Sequence, residues 1–145
     1  MASRRLKENG MTRYFALLDG KPGAFGVSFP DCPGCVAMGK DENEAYANAM
    51  DALSEWVRDA LEHGPAPQPS RIGELRRDPD VTDTLAEGGI FIAVPLVIES
   101  GLPVKANISL DRGLLDAIDS AAKRSGLTRS AFLASAAREK IAASG

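Results

Sequence analysis

The stretch that most constrains this fold is residues 104–142. Apolar and polar residues alternate strictly over residues 104–110, which predicts a β-strand with one apolar and one polar face. Asp111 has the residue type of a helix N-cap, and apolar residues then recur at helical spacing up to a turn at Gly126. Thr128 begins a second helix of the same kind. This stretch therefore predicts one strand followed by two short helices.

A strand-helix-helix segment of this size is not expected to fold as a single copy. A lone strand leaves its backbone N–H and C=O groups unpaired along both edges, and about 40 residues rarely bury enough apolar surface to be stable alone. Two copies solve both problems if their strands pair antiparallel and their four helices close one core. That shared core is predicted to contain Ile108, Leu110, Leu114, Ile118, Phe132 and Leu133. We therefore expect an intertwined homodimer, with a tetramer as the alternative assembly.

The polar face of the paired strands is suited to DNA. Lys105, Asn107 and Ser109 lie on that face, and a two-stranded ribbon fits the major groove, where these side chains can pair with base edges. The N-terminus of the second helix offers N–H groups and a positive dipole end to a phosphate. Phosphate binding is therefore predicted at Thr128, Arg129 and Ser130. The alternative is a dimerisation module whose polar strand face is only solvated.

The distribution of charge divides the chain into two parts. Residues 1–102 carry 10 basic and 16 acidic residues, a net charge of −6, whereas residues 103–145 carry 7 basic and 4 acidic residues, a net charge of +3. An acidic body joined to a basic end indicates two functions, one of which involves nucleic acid.

The front half predicts a small antiparallel sheet covered by a helix. Strand character is found in residues 13–19, 24–31 and 35–39. A helix is expected over residues 41–63, with Asp41 as its N-cap and Glu44 as the capping-box partner. Residues 71–89 are interpreted as irregular, with a turn or two of helix. Residues 90–98 form an apolar run that should return to the sheet, at an edge because Pro95 cannot donate to a ladder. The fold class is therefore α+β.

The segment PDCPGC at residues 30–35 raises the question of thiol chemistry. Cys35 leads into a strand and not into the helix N-terminus that activates a redox cysteine. Pro33 and Gly34 are typical of the centre of a type II turn, and a zinc site lacks ligands because His63 is the only histidine. We interpret the motif as a structural turn, and a regulatory disulfide or a catalytic thiol stays an alternative.

No catalytic residue, metal site or cofactor is predicted, and the protein is not expected to be an enzyme. Metal-dependent nucleases need several converging carboxylates. The carboxylates near the front sheet are instead explained by turn, strand-end or helix-N-terminal positions. They are Asp19, Asp31, Asp41, Glu42 and Glu44.

These motifs resemble those of two known families. The segments KANISLD, LLDAID and LTRSAFL, with the glycine turn between the helices, resemble the ribbon-helix-helix repressors. YFALLDGKPGAFGVSFPDCPGCVAMGKDENEAYANAMDAL and the later GGIFIAVPLV resemble the HicB-type antitoxin domain, in the branch that carries a ribbon-helix-helix end. The chain departs from that pattern at Cys32, where an apolar residue is more usual, and in its ten additional N-terminal residues.

The resemblance implies a partly RNase-H-like front domain without nuclease activity. It implies an antitoxin that binds and blocks a HicA-type mRNA-cleaving toxin and represses the shared operon by binding operator DNA. The domains would be a flexible tail at residues 1–12, a toxin-binding domain at 13–98, a hinge at 99–103 and a DNA-binding, dimerising domain at 104–145.

The sequence also bears on the cellular location. The sequence offers no signal peptide and no apolar run of the ~20 residues that a membrane span needs. A cytoplasmic location is therefore expected, with no membrane partner. The alternative function is a stand-alone ribbon-helix-helix regulator whose front domain senses a small ligand.

Overall fold

The computed structural model describes residues 12–99 and 102–144, and these residues form two compact units, the first of which ends at Glu99. The first unit contains strands β1 (Arg13–Lys21), β2 (Ala24–Ser28), β3 (Val36–Gly39) and β4 (Ile90–Pro95), and helices α1 (Glu42–His63), α2 (Ile72–Leu75) and α3 (Pro79–Ala86). The second unit contains helices α4 (Arg112–Arg124) and α5 (Arg129–Ser144). Among the helices described here, none has the length and apolar content needed to cross a bilayer.

The four strands form one antiparallel sheet in the order β3-β2-β1-β4. Strand β1 is central, and its Leu17 lies between Ser28 of β2 and Phe91 of β4. The apolar segment after residue 89 does return to the first sheet, and it does so at an edge, with Pro95 as its last residue. The α+β class and the antiparallel sheet predicted from the sequence are therefore confirmed.

Helix α1 covers one face of this sheet. Its buried residues follow a four-residue spacing, and they pack on the alternating residues of β1 that are also buried. They are Ala45, Ala49, Leu53 and Val57 from the helix, with Tyr14, Ala16 and Leu18 from the strand. The predicted N-cap is present, because the Asp41 carboxylate accepts from the backbone N–H of Glu44 at 2.8 Å. The Glu44 carboxylate in turn accepts from the N–H of Lys40 at 3.3 Å.

The other face of the sheet is partly covered by α2 and α3. Leu17 packs against Leu75 and Val81, and the rings of Phe15 and Phe91 meet edge to face with their centroids 6.4 Å apart. The sequence predicts only a turn or two of helix in this region. The structure has two helices there, the second of which is capped by the Asp78 side chain and has a proline in its first turn.

The second unit is a helix-turn-helix. The predicted cap of α4 is confirmed, because the Asp111 carboxylate accepts from the backbone N–H groups of Gly113 and Leu114. The helix ends at a turn in which Gly126 has a φ of +69°, a value that favours glycine. The N–H of Leu127 closes this turn on the carbonyl of Ala122 at 2.8 Å.

The predicted strand over residues 104–110 is not formed within a single chain. Residues 102–110 have no regular secondary structure, and all of them are exposed. A β-strand exists only when a neighbouring strand supplies hydrogen-bond partners. Among residues 102–144 of this unit the segment has no such neighbour, and the pairing of two chains stays a prediction.

Candidate functional site

The residues predicted to read DNA bases lie on this exposed segment. Lys105, Asn107 and Ser109 are accessible to solvent. The apolar positions that alternate with them are accessible too, with Val104 exposed by 88% and Ile108 by 63%. Exposed apolar surface on a chain segment commonly marks an interaction site. Both faces of the segment are thus available to partners.

The side chains predicted for a dimer core are only partly buried within one chain. Ile118 is 8% exposed, and Phe132 and Leu133 are half-buried. Leu110 and Leu114 are exposed, like Ile108. The second unit therefore has a small core of its own and a larger apolar surface that its own helices do not cover.

The N-terminus of α5 contains the residues predicted to bind phosphate. The Thr128 hydroxyl caps the helix by accepting from the N–H of Ala131 at 3.1 Å. Arg129 is paired inside the unit, because its Nε and Nη2 donate to the two carboxylate oxygens of Asp119 at 2.8 and 2.9 Å. This hydrogen bond lowers the pKa of Asp119 and raises that of Arg129. Ser130 is exposed.

This bidentate ion pair was not predicted from the sequence. It joins α4 to the first residue of α5, across the glycine turn. Phosphate binding by Arg129 would require its guanidinium to exchange Asp119 for the phosphate, or to contact both. The backbone N–H groups at the N-terminus of α5 are not paired with Asp119, so phosphate binding by them would not require this exchange.

The cysteine motif is a turn, as predicted. The N–H of Cys35 donates to the carbonyl of Cys32 at 2.9 Å, and Gly34 has a φ of +86°, as the third residue of a type II turn requires. Both thiols are free and buried. Burial raises the pKa of Cys32 to about 12 and that of Cys35 to about 11, so neither is an activated thiolate.

Four hydrogen bonds fix the proline-rich segment 64–70 and the cysteine turn to the core. The Asp31 carboxylate accepts from both the N–H and the hydroxyl of Ser70, each at 2.7 Å. The Tyr14 hydroxyl donates to the carbonyl of Pro67 at 2.6 Å, and the Trp56 indole donates to the carbonyl of Pro33 at 3.1 Å. Asp31 therefore has a structural role.

A line of carboxylates runs along the outer surface of α1. Asp51, Glu55, Asp59 and Glu62 recur every three or four residues, and all four are exposed. Like charges at this spacing destabilise a helix by about 0.2–0.5 kcal/mol per pair. Within the described parts of the chain, no cation pairs with any of these carboxylates. We call these four residues the acidic stripe.

A groove of about 310 Å³ lies beside the acidic stripe, between α1 and β3. Its lining combines apolar side chains with one member of the stripe, and comprises Gly34, Cys35, Val36, Ala52, Glu55 and Trp56. Val36 and Met38 of β3 are each 62% exposed. This surface was not predicted from the sequence, although acids at i, i+4 spacing on the polar positions of a predicted helix are a signal for it.

Sequence comparison identifies the family. The model of the HicB_like antitoxin of bacterial toxin-antitoxin systems matches residues 14–137. A curated relative, the uncharacterized 14.9 kDa protein in the rep-hol intergenic region of Haemophilus phage HP1 (strain HP1c1), is 32% identical over 94 residues. That alignment covers 64% of this chain and 68% of the phage protein.

The similar solved structures include HicB antitoxins. A crystal structure of the antitoxin HicB3 is 31% identical, with 90% of this chain and 98% of that chain covered and a TM-score of 0.49. The Burkholderia pseudomallei antitoxin HicB is 26% identical, with 90% and 97% covered and a TM-score of 0.47. A complex of HicA3 and HicB3 matches at 25% identity over 59% and 99% of the two chains, with a TM-score of 0.48.

These TM-scores are all below 0.5, so the assignment rests on the sequence match. That match includes strands and helices of the first unit and both helices of the second unit. The chain therefore belongs to the HicB-like antitoxin family of bacterial toxin–antitoxin systems.

Proposed function

We propose that this protein neutralises a HicA-type mRNA-cleaving toxin by direct binding and represses its own operon by binding operator DNA. The observation that carries the proposal is the family match, which continues through both compact units. The first unit is assigned to the toxin, and the second unit is assigned to dimerisation and to DNA. The partly RNase-H-like character of the first unit and a cytoplasmic site of action belong to the same proposal.

The DNA-binding part is supported by the exposed segment 102–110. In a dimer, two such segments pair antiparallel as a ribbon, and their exposed Ile108 side chains turn toward the helices of both copies. Lys105, Asn107 and Ser109 of each copy then face the major groove. The N-terminus of α5, at Thr128, Arg129 and Ser130, lies against the phosphates in this arrangement.

The toxin-binding part is supported by the family match, which covers the first unit from residue 14 onward, and three carboxylates of this unit have structural roles. Asp31 holds Ser70, and Asp41 caps α1. Glu44 accepts from the backbone of Lys40. These groups are engaged in holding the fold, which agrees with a binding module that does not itself cleave RNA. The family assignment favours this function over a stand-alone regulator that senses a small ligand.

A titration against the protein's own promoter DNA tests the DNA-binding part. Lys105→Ala/Asn107→Ala should lose sequence-specific binding, because a good base contact contributes about 1–3 kcal/mol of discrimination. Lys21→Ala/Asn43→Ala removes the same residue types from exposed positions of the first unit and serves as the matched control. Equal binding by all three proteins would refute the assignment of the strand as the reading element.

Co-expression with the adjacent gene tests the toxin-binding part. A tagged antitoxin should retain the small protein which that gene encodes, and the retained protein should cleave mRNA only after the antitoxin is removed. If the neighbouring product neither co-purifies nor cleaves RNA, the toxin-binding part of the proposal is wrong.

A further inference from the structure

We propose that the acidic stripe of α1, together with the groove beside it, is the surface that binds the cationic RNA-binding site of the toxin. This inference rests on the proposed function and specifies where on the first unit the partner binds. In the proposed complex, carboxylates occupy the positions on the toxin that RNA phosphates would otherwise occupy. They belong to Asp51, Glu55, Asp59 and Glu62.

The position of the stripe leaves it available for a partner. One flank of α1 is held toward β4, where the Tyr46 hydroxyl donates to the carbonyl of Ala93 at 2.8 Å. The opposite flank is held toward β3, where the Asn48 amide donates to the carbonyl of Met38 at 2.7 Å. The stripe lies on the side of the helix away from its buried residues, so it faces solvent without serving either of these contacts.

The folding of α1 does not explain the stripe. Acidic residues stabilise the first turn of a helix, where Glu42 and Glu44 lie, and are unfavourable near its C-terminus. Asp59 and Glu62 lie in the last two turns of α1, which ends at His63. Acids at this end, spaced so that they repel one another, lower the stability of the helix. A cationic partner would remove that repulsion.

The groove adds an apolar contact to this charged surface. Val36 of β3 lines the groove, and the Trp56 ring, which lines it as well, is held by its hydrogen bond to the carbonyl of Pro33. Glu55 belongs to both the stripe and the groove. An apolar centre with a charged rim is the usual arrangement of a protein–protein interface. A partner can therefore insert one apolar side chain here while its cations contact the carboxylates.

The partner is identified by its chemistry. A protein that cleaves mRNA must bind a chain of phosphates, and it does so with lysine and arginine side chains. Carboxylates one helical turn apart lie about 6 Å from one another along the axis, given a rise of 1.5 Å per residue. Such a row presents repeated negative charge to the same cations. Binding of the toxin there would exclude RNA by competition.

Charge reversal on the stripe tests this inference in the full chain. Glu55→Lys/Asp59→Lys should keep α1 folded, because it turns the repelling pairs 51/55 and 59/62 into attracting ones and leaves only the pair 55/59 repelling. Asp83→Lys/Glu87→Lys changes two exposed acids elsewhere on the first unit by the same total charge and is the matched control. Affinity for the purified toxin from the adjacent gene is measured at about 50 mM and about 500 mM salt. Circular dichroism checks the fold of each variant.

We expect the stripe variant to bind at least about tenfold more weakly than the control at low salt, and the ratio to shrink at high salt. Val36→Ser should weaken binding by a similar factor at both salt concentrations, because it removes an apolar side chain from the groove. The wild-type complex should also be displaced by single-stranded RNA, with less RNA needed for the stripe variant.

The possible failures are distinguishable. If the wild type does not bind the toxin at all, the proposed function fails. If the wild type binds and the stripe variant binds as tightly as the control, only the present inference is wrong. If sedimentation without toxin shows that the stripe variant loses a self-association that the control keeps, then the surface binds a second copy, which also overturns the inference.

Discussion

At Gly39, strand β3 passes close to the backbone of the first turn of α1. A Cβ placed there would meet the backbone N of Ala45, and would lie 2.6 Å from its Cα. Both atoms belong to a helix whose start is fixed by the Asp41 cap, so neither can move at little cost. The absence of a side chain at this position is therefore a condition for the packing of α1 on β3.

The contact between Gly39 and α1 can be tested by adding a single methyl group. Gly39→Ala should lower the free energy of unfolding by about 1–3 kcal/mol or more, as overpacking of a rigid contact does. Gly73→Ala is the control, because a Cβ there meets no atom within 4 Å and alanine is favoured in a helix. Urea unfolding measures both variants. Equal stability of the two would show that the β3–α1 contact can relax.

The buried thiols and Tyr14 predict a decline of stability at alkaline pH. Burial raises the pKa of Cys32 from 9.0 to about 12, that of Cys35 from 9.0 to about 11, and that of Tyr14 from 10.0 to about 12. As the pH rises above about 9, the unfolded chain therefore releases protons that the folded chain retains, and the balance moves toward unfolding. The stabilisation is complete below the ordinary pKa values and is lost as the pH passes through the raised ones.

Urea unfolding between about pH 7 and pH 11 measures this decline. Cys32→Ala/Cys35→Ala should make the free energy of unfolding decline less steeply with pH. The decline should also begin at a higher pH, near the ordinary tyrosine pKa of 10.0. A thiol-specific reagent should react with the native protein only at the rate of unfolding. Rapid modification at neutral pH would contradict the interpretation of the motif as a structural turn.

At the scale of elements, the sequence predicted the features that depend on neighbours along the chain. The caps at Asp41 and Asp111 and the Pro33–Gly34 turn are local, and all three are present. The α2 and α3 segments are too short for apolar periodicity to establish, and they are stabilised by packing on β1 and β4. The segment 104–110 has the apolar–polar pattern of a strand, but a strand also requires a partner strand, which the described residues of one chain do not supply.

The Asp119–Arg129 pair shows the same limit for side chains. The two residues are ten positions apart and meet only because the Gly126 turn brings α5 back against α4. Residue types at the start of α5 indicated phosphate binding, whereas the contact found is internal. The role proposed for Arg129 in DNA binding therefore depends on whether its guanidinium prefers a DNA phosphate to the Asp119 carboxylate.

Salt-dependent DNA binding resolves this question. If Arg129 exchanges Asp119 for a phosphate, Arg129→Ala should weaken binding equally on all sequences and lower the slope of log K against log salt by about one. Asp119→Asn should then strengthen binding, because it removes a competing carboxylate. If Arg129 only joins the helices, both variants should lower the melting temperature of the second unit alike and leave the slope unchanged.

At the scale of the whole molecule, the division into two units predicts that their functions can be separated. Ile108→Asp places a charge in the proposed shared core and should abolish the dimer and DNA binding. The first unit should keep its thermal transition and its affinity for the toxin, because Ile108 lies outside it. Ser109→Asp is the control, since it changes the charge by the same single unit on the polar face and should remain dimeric. A dimer formed by Ile108→Asp would refute the strand assignment.

The exposed segment 102–110 also sets where a protease can separate the two activities. It has no regular secondary structure, is exposed and contains Lys105, whereas the proline-rich segment 64–70 is held against the core by hydrogen bonds. A monomer is therefore expected to be cleaved between its units, and pairing into a ribbon would protect the same bonds. Cleavage would release a first unit that still inhibits the toxin but no longer reaches the operator. Repression of the operon would therefore be lost before neutralisation of the toxin.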